Sequence, residues 1–419
     1  MKKLIALAAS AAMTAALINC MPAASAGTGL GDANADGKVN ALDASEILCY
    51  YAEMSVSSAE DSAPEAPPNS DMNKDGVINA ADASYVLSYY SYTATGGTVT
   101  PENYVKISST TKDITLSADC SAKMKADNYV NVSWRSYENN ESVLKKIGDK
   151  CSIAGYRIKM YSQSYDSGSD KTVRKDLASY EVRSAKDVEQ KNLYGEGTTV
   201  YKQAKVKIPE DISFDPQLDY GFEVSAIADI NGIEVNVVTH QTVLINKTEL
   251  IVNTAKLTPH DNYPLYNIKG STPKQTATYI VTAEDKKILD KFAEENFTPD
   301  ISNYDKIECL WRWVNKNITY ASGDLYKEIA SDSWVSACLV KKKGQCLQYN
   351  GAVAELLAYM GYDVYMLEMW LGANNTNQHF RTEVNIDGNA YSIEVGNDGA
   401  YSGWMWLFEP IESSIKGAQ

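Results

Sequence analysis

The sequence predicts a multidomain chain: a small α module built on a duplicated loop and helix, a β-sandwich, and an α+β domain at the end. Three observations predict it. An Asp/Asn-rich loop followed by a helix occurs twice, Asp32 aligning with Asp71, an offset of 39 residues. A middle stretch carries apolar residues at period two with no helical pattern between them. In the last third a Cys opens an apolar helical pattern, and strand patterns carrying a His and a Glu follow it. The 419 residues are enough for two or three domains, and 44% hydrophobic against 22% charged residues is enough to fill their cores.

The chain opens on an export signal. Lys2 and Lys3 form a positive start, residues 4–18 are apolar or small, and Ala24-Ser25-Ala26 is an A-x-A cleavage site. Residues 1–26 therefore read as a signal peptide, with the mature chain secreted, extracellular, and held at the cell surface or in an assembly. No later stretch approaches the length of a membrane span. With 39 basic against 54 acidic residues, the net charge of −15 argues against a nucleic-acid partner, which needs a basic face. Of seven Cys, Cys20 leaves with the signal. Cys120 can pair with Cys151 and Cys309 with Cys338, or all can stay thiols; spacing does not choose.

The first loop runs from Asp32 to Asp43 and the second from Asp71 to Asp82. Oxygen side chains fall at loop positions 1, 3, 5, 9 and 12, with Gly37 or Gly76 at position 6. A hard cation wants several oxygens converging from one short loop, and the glycine permits the sharp turn. Lys38 and Val77 at position 7 offer backbone carbonyls. The candidate ligands are Asp32, Asn34, Asp36, Lys38, Asn40 and Asp43, then Asp71, Asn73, Asp75, Val77, Asn79 and Asp82, for two Ca2+ ions. A helix follows each loop, at 44–51 and 83–90. Between residues 27 and 92, eleven acids face two lysines, a charge that repels itself without a cation. This duplicated unit, residues 27–92 as a module, resembles a type I dockerin. The resemblance implies calcium-dependent folding and docking on the cohesin of a scaffolding protein, in a cellulosome-type assembly of the kind that degrades polysaccharide. It also implies that loop positions 10 and 11, Ala41 and Leu42 and then Ala80 and Ala81, meet the cohesin; they are apolar here. Leu48 and Tyr50 recur as Leu87 and Tyr89, so the two repeats read as interchangeable docking faces. Residues 62–69 form a Pro-rich connector.

Residues 93–101 are small and polar and read as a linker. Residues 129–134, 155–161, 200–208 and 220–226 alternate as strands, and 162–187 reads as a loop. Val132-Ser133-Trp134, Gly155-Tyr156-Arg157-Ile158, the Tyr220, Phe222, Val224, Ala226 alternation and Asn231-Gly232 resemble a fibronectin type III domain, which implies a β-sandwich over 102–250. His240 and His260 have no neighbours at ligand spacing and read as ordinary histidines.

The last domain is assigned to 251–419. Thr282 to Asp285 and Ser302 to Asp305 are capping signatures, the second preceding Ile307, Leu310, Trp311, Val314 and Ile318 on one helical face. Gly344-Gln345-Cys346 opens a helix whose stripe is Val353, Leu356, Leu357 and Met360, with Gly361 as the stop. A thiol at a helix start meets the positive end of the macrodipole, which favours thiolate. Residues 364–371 read as a strand, and 379–386 with 390–395 as a hairpin turning at Asp387-Gly388. Such a hairpin can bring His379 and Glu394 to one face. Alone, a Cys is often a small buried hydrophobe and a His an ordinary strand residue. Together, Cys, His and carboxylate are the apparatus of acyl transfer through a thioester.

This stretch resembles the transglutaminase-like superfamily with its papain-type core. Gly344-Gln345-Cys346 matches the nucleophile motif, residues 357–364 the helix-to-strand step, His379 the family histidine, and Glu394 the position where Asp is usual. The resemblance implies Cys346 as nucleophile, His379 as acid and base, Glu394 as the group that orients it, and a peptide or protein substrate. The oxyanion would meet the Cys346 N–H and one further donor, with Trp334 as a candidate. Leu347 stands where the animal enzymes have Trp, and Phe380-Arg381 where Ala-Trp is usual. The readings left open are a cysteine peptidase or amidase, a cross-linking transglutaminase, a peptide-binding module without turnover, and an inert spacer. Paired carboxylates suited to glycoside hydrolysis are not found.

Overall fold

The computed structural model describes residues 29–57, 63–109, 112–113, 120–136, 138, 141–147, 151–191, 198–268, 272–371, 377–396 and 405–415. The signal peptide and Cys20 lie outside the described residues, as does the His240 side chain. Each Asp/Asn loop runs directly into a helix, α1 (Ala41–Val56) and α2 (Ala80–Ala94). Asn40 and Asn79 cap them, and Asp43 and Asp82 reach back to the cap N–H to complete reciprocal boxes. The two repeats share a core of Val39, Ala44, Ile47, Met72, Ala83 and Val86.

The end of α2 is tied to the rest of the chain. The Tyr92 hydroxyl donates to the Asn231 carbonyl at 3.1 Å and accepts from the N–H groups of Thr98 and Val99. The Tyr89, Tyr92 and Tyr104 rings pack together. Tyr104 belongs to α3 (Pro101–Ser108), which Thr100 caps. Residues 93–101, expected as a linker, are thus the end of one helix and a pinned turn into the next. The polar composition of that turn concealed the single buried ring that anchors it.

Two sheets follow, with α4 (Glu141–Ile147) between their third and fourth strands. The strands are β1 (Lys112–Asp113), β2 (Cys120–Met124), β3 (Tyr129–Arg135), β4 (Cys151–Asp166), β5 (Lys171–Val182), β6 (Lys186–Lys191), β7 (Thr198–Lys207), β8 (Asp219–Ile230) and β9 (Ile233–Leu244). Their orders are β1-β9-β8-β4-β5 and β2-β3-β7-β6. The inner faces share one core, with Val130, Val132, Trp134 and Val206 facing Tyr156, Ile158, Phe222, Val224 and Val235. The ring of Trp134 meets Tyr156 edge-on at 4.7 Å. At the start of β8, the Tyr220 hydroxyl accepts from the Asp215 N–H at 2.7 Å and so closes the loop before the strand. Asn231 and Gly232 both have positive φ, as a tight hairpin turn between β8 and β9 requires. The stretch 162–187, expected as a loop, is mostly ladder: β4 continues to Asp166 and pairs with β5 throughout. Most of β5 is exposed, so no buried face left an apolar alternation to read.

α5 (Lys247–Thr254) straddles the boundary expected at 250/251. Leu250 packs into the middle core, and Ile251 and Val252 pack into the last one. The last domain comprises β10 (Asn262–Ile268), β11 (Lys274–Ile280), α6 (Ala283–Asn296), α7 (Asn303–Asn317), β12 (Thr319–Tyr320), α8 (Asp324–Lys327), β13 (Lys343–Gly344), α9 (Cys346–Met360), β14 (Asp363–Leu371), β15 (Asn377–Ile386), β16 (Asn389–Glu394) and β17 (Trp406–Ile411). Six strands form one sheet, β11-β10-β14-β15-β16-β17, with β10 and β14 parallel. α9 is enclosed between this sheet, α7 and a π-helical turn at Ser336–Val340, so residues 348–358 are buried on every face and not on one stripe alone. Gly361 ends the helix at φ 100°, in the left-handed region that favours glycine. No helix among the described residues is long and apolar enough to cross a membrane.

Replacing Tyr92 with Phe is expected to lower stability by about 1 kcal/mol, since one hydroxyl serves three backbone partners. Limited proteolysis is expected to open the chain at residues 94–100 in this variant and not in the wild type.

Candidate functional site

The approach to Cys346 is held on both sides. β12 and β13 pair in parallel, the Ala321 N–H donates to the Gly344 carbonyl at 2.8 Å, and the Gln345 side chain donates to the Ala321 carbonyl at 2.6 Å. A Cβ on Gly344 would lie 2.8 Å from a ring carbon of Tyr349, so only glycine fits at that entry. The Gln345 N–H donates to Gln348 Oε1 at 3.0 Å, which locks the first turn of α9. Cys346 is the first helical residue, and the N–H groups of a first turn have no intrahelical acceptor. Further along, a Cβ on Gly351 would lie 2.1 Å from the Trp334 ring, so the helix and this indole are in direct contact.

β15 and β16 deliver the other two groups. Asp387 and Gly388 both have positive φ and turn the hairpin, and Thr382 pairs with Ile393. That register sets His379 and Glu394 diagonally across the hairpin, where neighbouring residues stand about 7–8 Å apart and a long side chain is needed to close the gap. His379 Nε2 lies 2.9 Å from Glu394 Oε2. Cys346 is the other group that acts on the His379 imidazole. With Nε2 taken by Glu394, Nδ1 is the ring nitrogen left to serve Cys346. Burial alone would lower the His379 pKa, but the hydrogen bonds to Cys346 and Glu394 and the charges behind them outweigh it and push it up to about 9. The imidazole therefore holds a proton at neutral pH.

One polar residue at this site is not singled out by the sequence. Asn350 lies one turn beyond Cys346 and is fully buried. Its amide nitrogen is 3.0 Å from Glu394 Oε1, 2.9 Å from the Phe380 carbonyl and 3.2 Å from the Cys346 carbonyl, and its oxygen accepts from the Val395 N–H. The Trp311 indole donates to the Glu394 carbonyl at 2.9 Å. Only an amide on a buried helical position hints at the first contact; Trp311 reads as core.

Other expectations are placed elsewhere. Trp334 packs between Gly351, Tyr263 and Tyr279 in the core. Arg381 bonds Glu383 and Ser414, among residues that hold the 413–415 segment. His260 bridges the carbonyls of Asn262 and Tyr362. Cys49, Cys120, Cys151, Cys309, Cys338 and Cys346 are free thiols, so neither disulfide pairing is formed. Cys120 and Cys151 sit on strands of different sheets, and the buried Cys338 thiol donates to the Gln348 carbonyl.

The two loops of the N-terminal module repeat most of each other's hydrogen bonds. Asp32 accepts from the N–H groups of Asp36 and Gly37, as Asp71 does from Asp75 and Gly76. Asp43 and Asp82 are buried, and each accepts from two backbone N–H groups, those of Asn34 and Asn40 or of Asn73 and Asn79. Gly37 and Gly76 have φ of 84° and 88°. Asn40 and Asn79 spend one lone pair on the helix cap. No group of three or more His, Cys, Asp or Glu side chains among the described residues forms a metal cluster by itself; a cation held here would draw on Asn amides and a backbone carbonyl as well. The residues fit a hard cation. Burial raises the Asp43 pKa, the Asn34 and Asn40 N–H groups oppose this, and the nearby Asp32 and Asp36 raise it further; a divalent ion would relieve that crowding.

The comparisons agree with this geometry at two places. Residues 30–89 match the family described as dockerin type I domain, and residues 290–404 match the transglutaminase-like superfamily. The chain thus carries an N-terminal dockerin type I domain and a C-terminal transglutaminase-like domain. No curated protein matches the chain. A solved structure from Parabacteroides distasonis, named as a candidate protease, shares 8% identity over 73% of this chain and 71% of its own; its TM-score of 0.21 carries no argument.

His379 is one of three histidines, so ring NMR resolves it. Its titration midpoint is expected at about 9 and lower in Glu394→Gln. Because its folded value lies above the ordinary value of about 6.5, the stabilisation is fully present below that pH and lost as pH rises through about 9. The stability gap between wild type and Glu394→Gln is expected to be on the order of 2 kcal/mol at pH 6 and to close above pH 9.

Proposed function

We propose that the chain is a secreted, calcium-dependent dockerin protein whose last domain is a cysteine-dependent amidase or peptidase working through a thioester. The observation that carries this reading is the His379–Glu394 link at 2.9 Å, with Cys346 acting on the same imidazole. Cys346 thiolate attacks an amide carbonyl, and the oxyanion meets the Cys346 N–H at the helix start. The protonated His379 gives its proton from Nδ1 to the departing amine, leaving a thioester on Cys346. Water then adds, His379 takes its proton, and the Cys346 thiolate is expelled with the acid product, which restores the starting pair. Glu394 holds the imidazole and balances its charge. An amine in place of water gives a cross-link by the same steps. The side chain of Arg381, which departs from the family pattern, bonds Glu383 and Ser414, and this weakens the reading of a module that binds peptide without turnover.

Asp32, Asn34, Asp36, Asn40 and Asp43 with the Lys38 carbonyl would hold one Ca2+, and Asp71, Asn73, Asp75, Asn79 and Asp82 with the Val77 carbonyl a second. Calcium would neutralise the crowded carboxylates and let α1 and α2 present Ala41, Leu42, Ala80 and Ala81 to a cohesin. Strand order and the closing bond at Tyr220 support a fibronectin III-like sandwich between the two functional ends.

Cys346→Ala and His379→Ala are each expected to cut peptide-amide turnover by three orders of magnitude or more, roughly, and Glu394→Gln by less. Release of ammonia from a carboxamide, or of a new amino terminus from a peptide bond, without uptake of a labelled amine would identify hydrolysis, and uptake would identify cross-linking. Turnover unchanged in Cys346→Ala would refute the nucleophile. Separately, adding chelator to the whole chain is expected to reduce helical circular dichroism and release a bound cohesin, and calcium is expected to restore both; Asp32→Ala with Asp71→Ala should mimic the chelator.

A further inference from the structure

Resting on the acyl-transfer reading above, we propose that Asn350 is a positioning residue that holds the Glu394 carboxylate in place for His379, so that the helix bearing the nucleophile also sets its base. Polar groups in a core are costly unless fully bonded, and an apolar residue at this helical position would pack as well. Asn350 is fully buried, yet its amide is satisfied at every atom. Donation from the Val395 N–H at 3.1 Å fixes which end is oxygen, so the nitrogen must face Glu394 and Phe380. Its partners are the neighbours of the reacting groups: Phe380 follows His379, Val395 follows Glu394, and Cys346 lies one turn back. Thr382 Oγ1 donates to the Asn350 carbonyl at 2.8 Å, tying the same helical turn to β15.

The carboxylate has two oxygens and two side-chain partners. Oε2 meets His379 and Oε1 meets Asn350, with the Glu394 side chain only 3% exposed. Removing the Asn350 donor leaves a buried carboxylate oxygen without a partner, which disfavours its charge and frees its rotation. Cys346 and Glu394 are the titratable groups that face His379, so a weakened Glu394 is read directly in the imidazole.

The test is ring NMR of the full chain labelled with 15N-histidine, beside kcat and KM on a peptide amide. In Asn350→Ala the His379 midpoint is expected to fall by about one pH unit or more, with kcat reduced and KM little changed. The double variant Asn350→Ala with Glu394→Gln is expected to titrate no lower than Glu394→Gln alone, because both act through one carboxylate. Should the alanine chain lose its native circular dichroism, Asn350→Ser replaces it, with the same shift expected. A folded variant whose His379 midpoint stays at the wild-type value overturns the Asn350 proposal alone, as does a double variant whose effects add. A wild-type midpoint near 6.5 that Glu394→Gln does not move overturns the acyl-transfer reading and the Asn350 proposal together.

Discussion

The buried carboxylate of Glu394 is shared between two donors, His379 from the next strand and Asn350 from the helix behind it. That sharing joins the element carrying the thiol to the hairpin carrying the imidazole, and other features of the domain serve to keep the two in register. The depth of α9 is set where Gly351 meets the Trp334 ring, and its entry where Gly344 passes Tyr349. A slip of one residue along α9 would rotate Cys346 by about a quarter turn and carry it off the imidazole. A slip of one residue in the hairpin would send His379 or Glu394 to the opposite face. The left-handed pair Asp387-Gly388 and the fully buried Thr382 hold that register.

Much of this was legible in the sequence because it follows from short-range rules. Gly361 as a helix stop, Asp387-Gly388 as a tight turn, and Thr282 to Asp285 as a capping box depend on a few adjacent residues and stand as read. The helix from Cys346 was legible for the same reason. What escaped needed contacts distant in sequence. Nothing near Tyr92 announces a bond to Asn231, so a pinned turn looked like a linker. β5 has little buried face, so its pairing with β4 carried no apolar signature. Asn350 looks like any polar residue on a helix until β15 and β16 arrive beside it. Trp334, an aromatic near the nucleophile in sequence, proved to be a core ring, because proximity along the chain does not fix which way a side chain faces.

The N-terminal module shows the same interplay between copied sequence and context. Leu48 and Leu87 are equally exposed, so the first halves of α1 and α2 remain alike. Their ends differ: Glu53 is exposed, while Tyr92 at the matching place is buried against the middle sheets. The duplication therefore preserves two similar outward faces, while Tyr92 of the second repeat is fastened to the middle sheets. Acid crowding in the loops and rigid docking of α2 divide the work. The first is what the proposed cation would relieve, and the second ties the end of α2 to the middle sheets.

Six free thiols lie among the described residues, and they differ in exposure: Cys49 is open to solvent, and Cys346 is half-buried. Accessibility alone would make Cys49 the faster to react, whereas activation by His379 and the helix start would favour Cys346. Brief labelling of the full chain with limiting iodoacetamide at pH 6, read by peptide mass spectrometry, separates these cases. The account expects modification at Cys346 ahead of Cys49, with the preference abolished in His379→Ala. Faster labelling at Cys49, or a Cys346 rate that His379→Ala leaves unchanged, would contradict it.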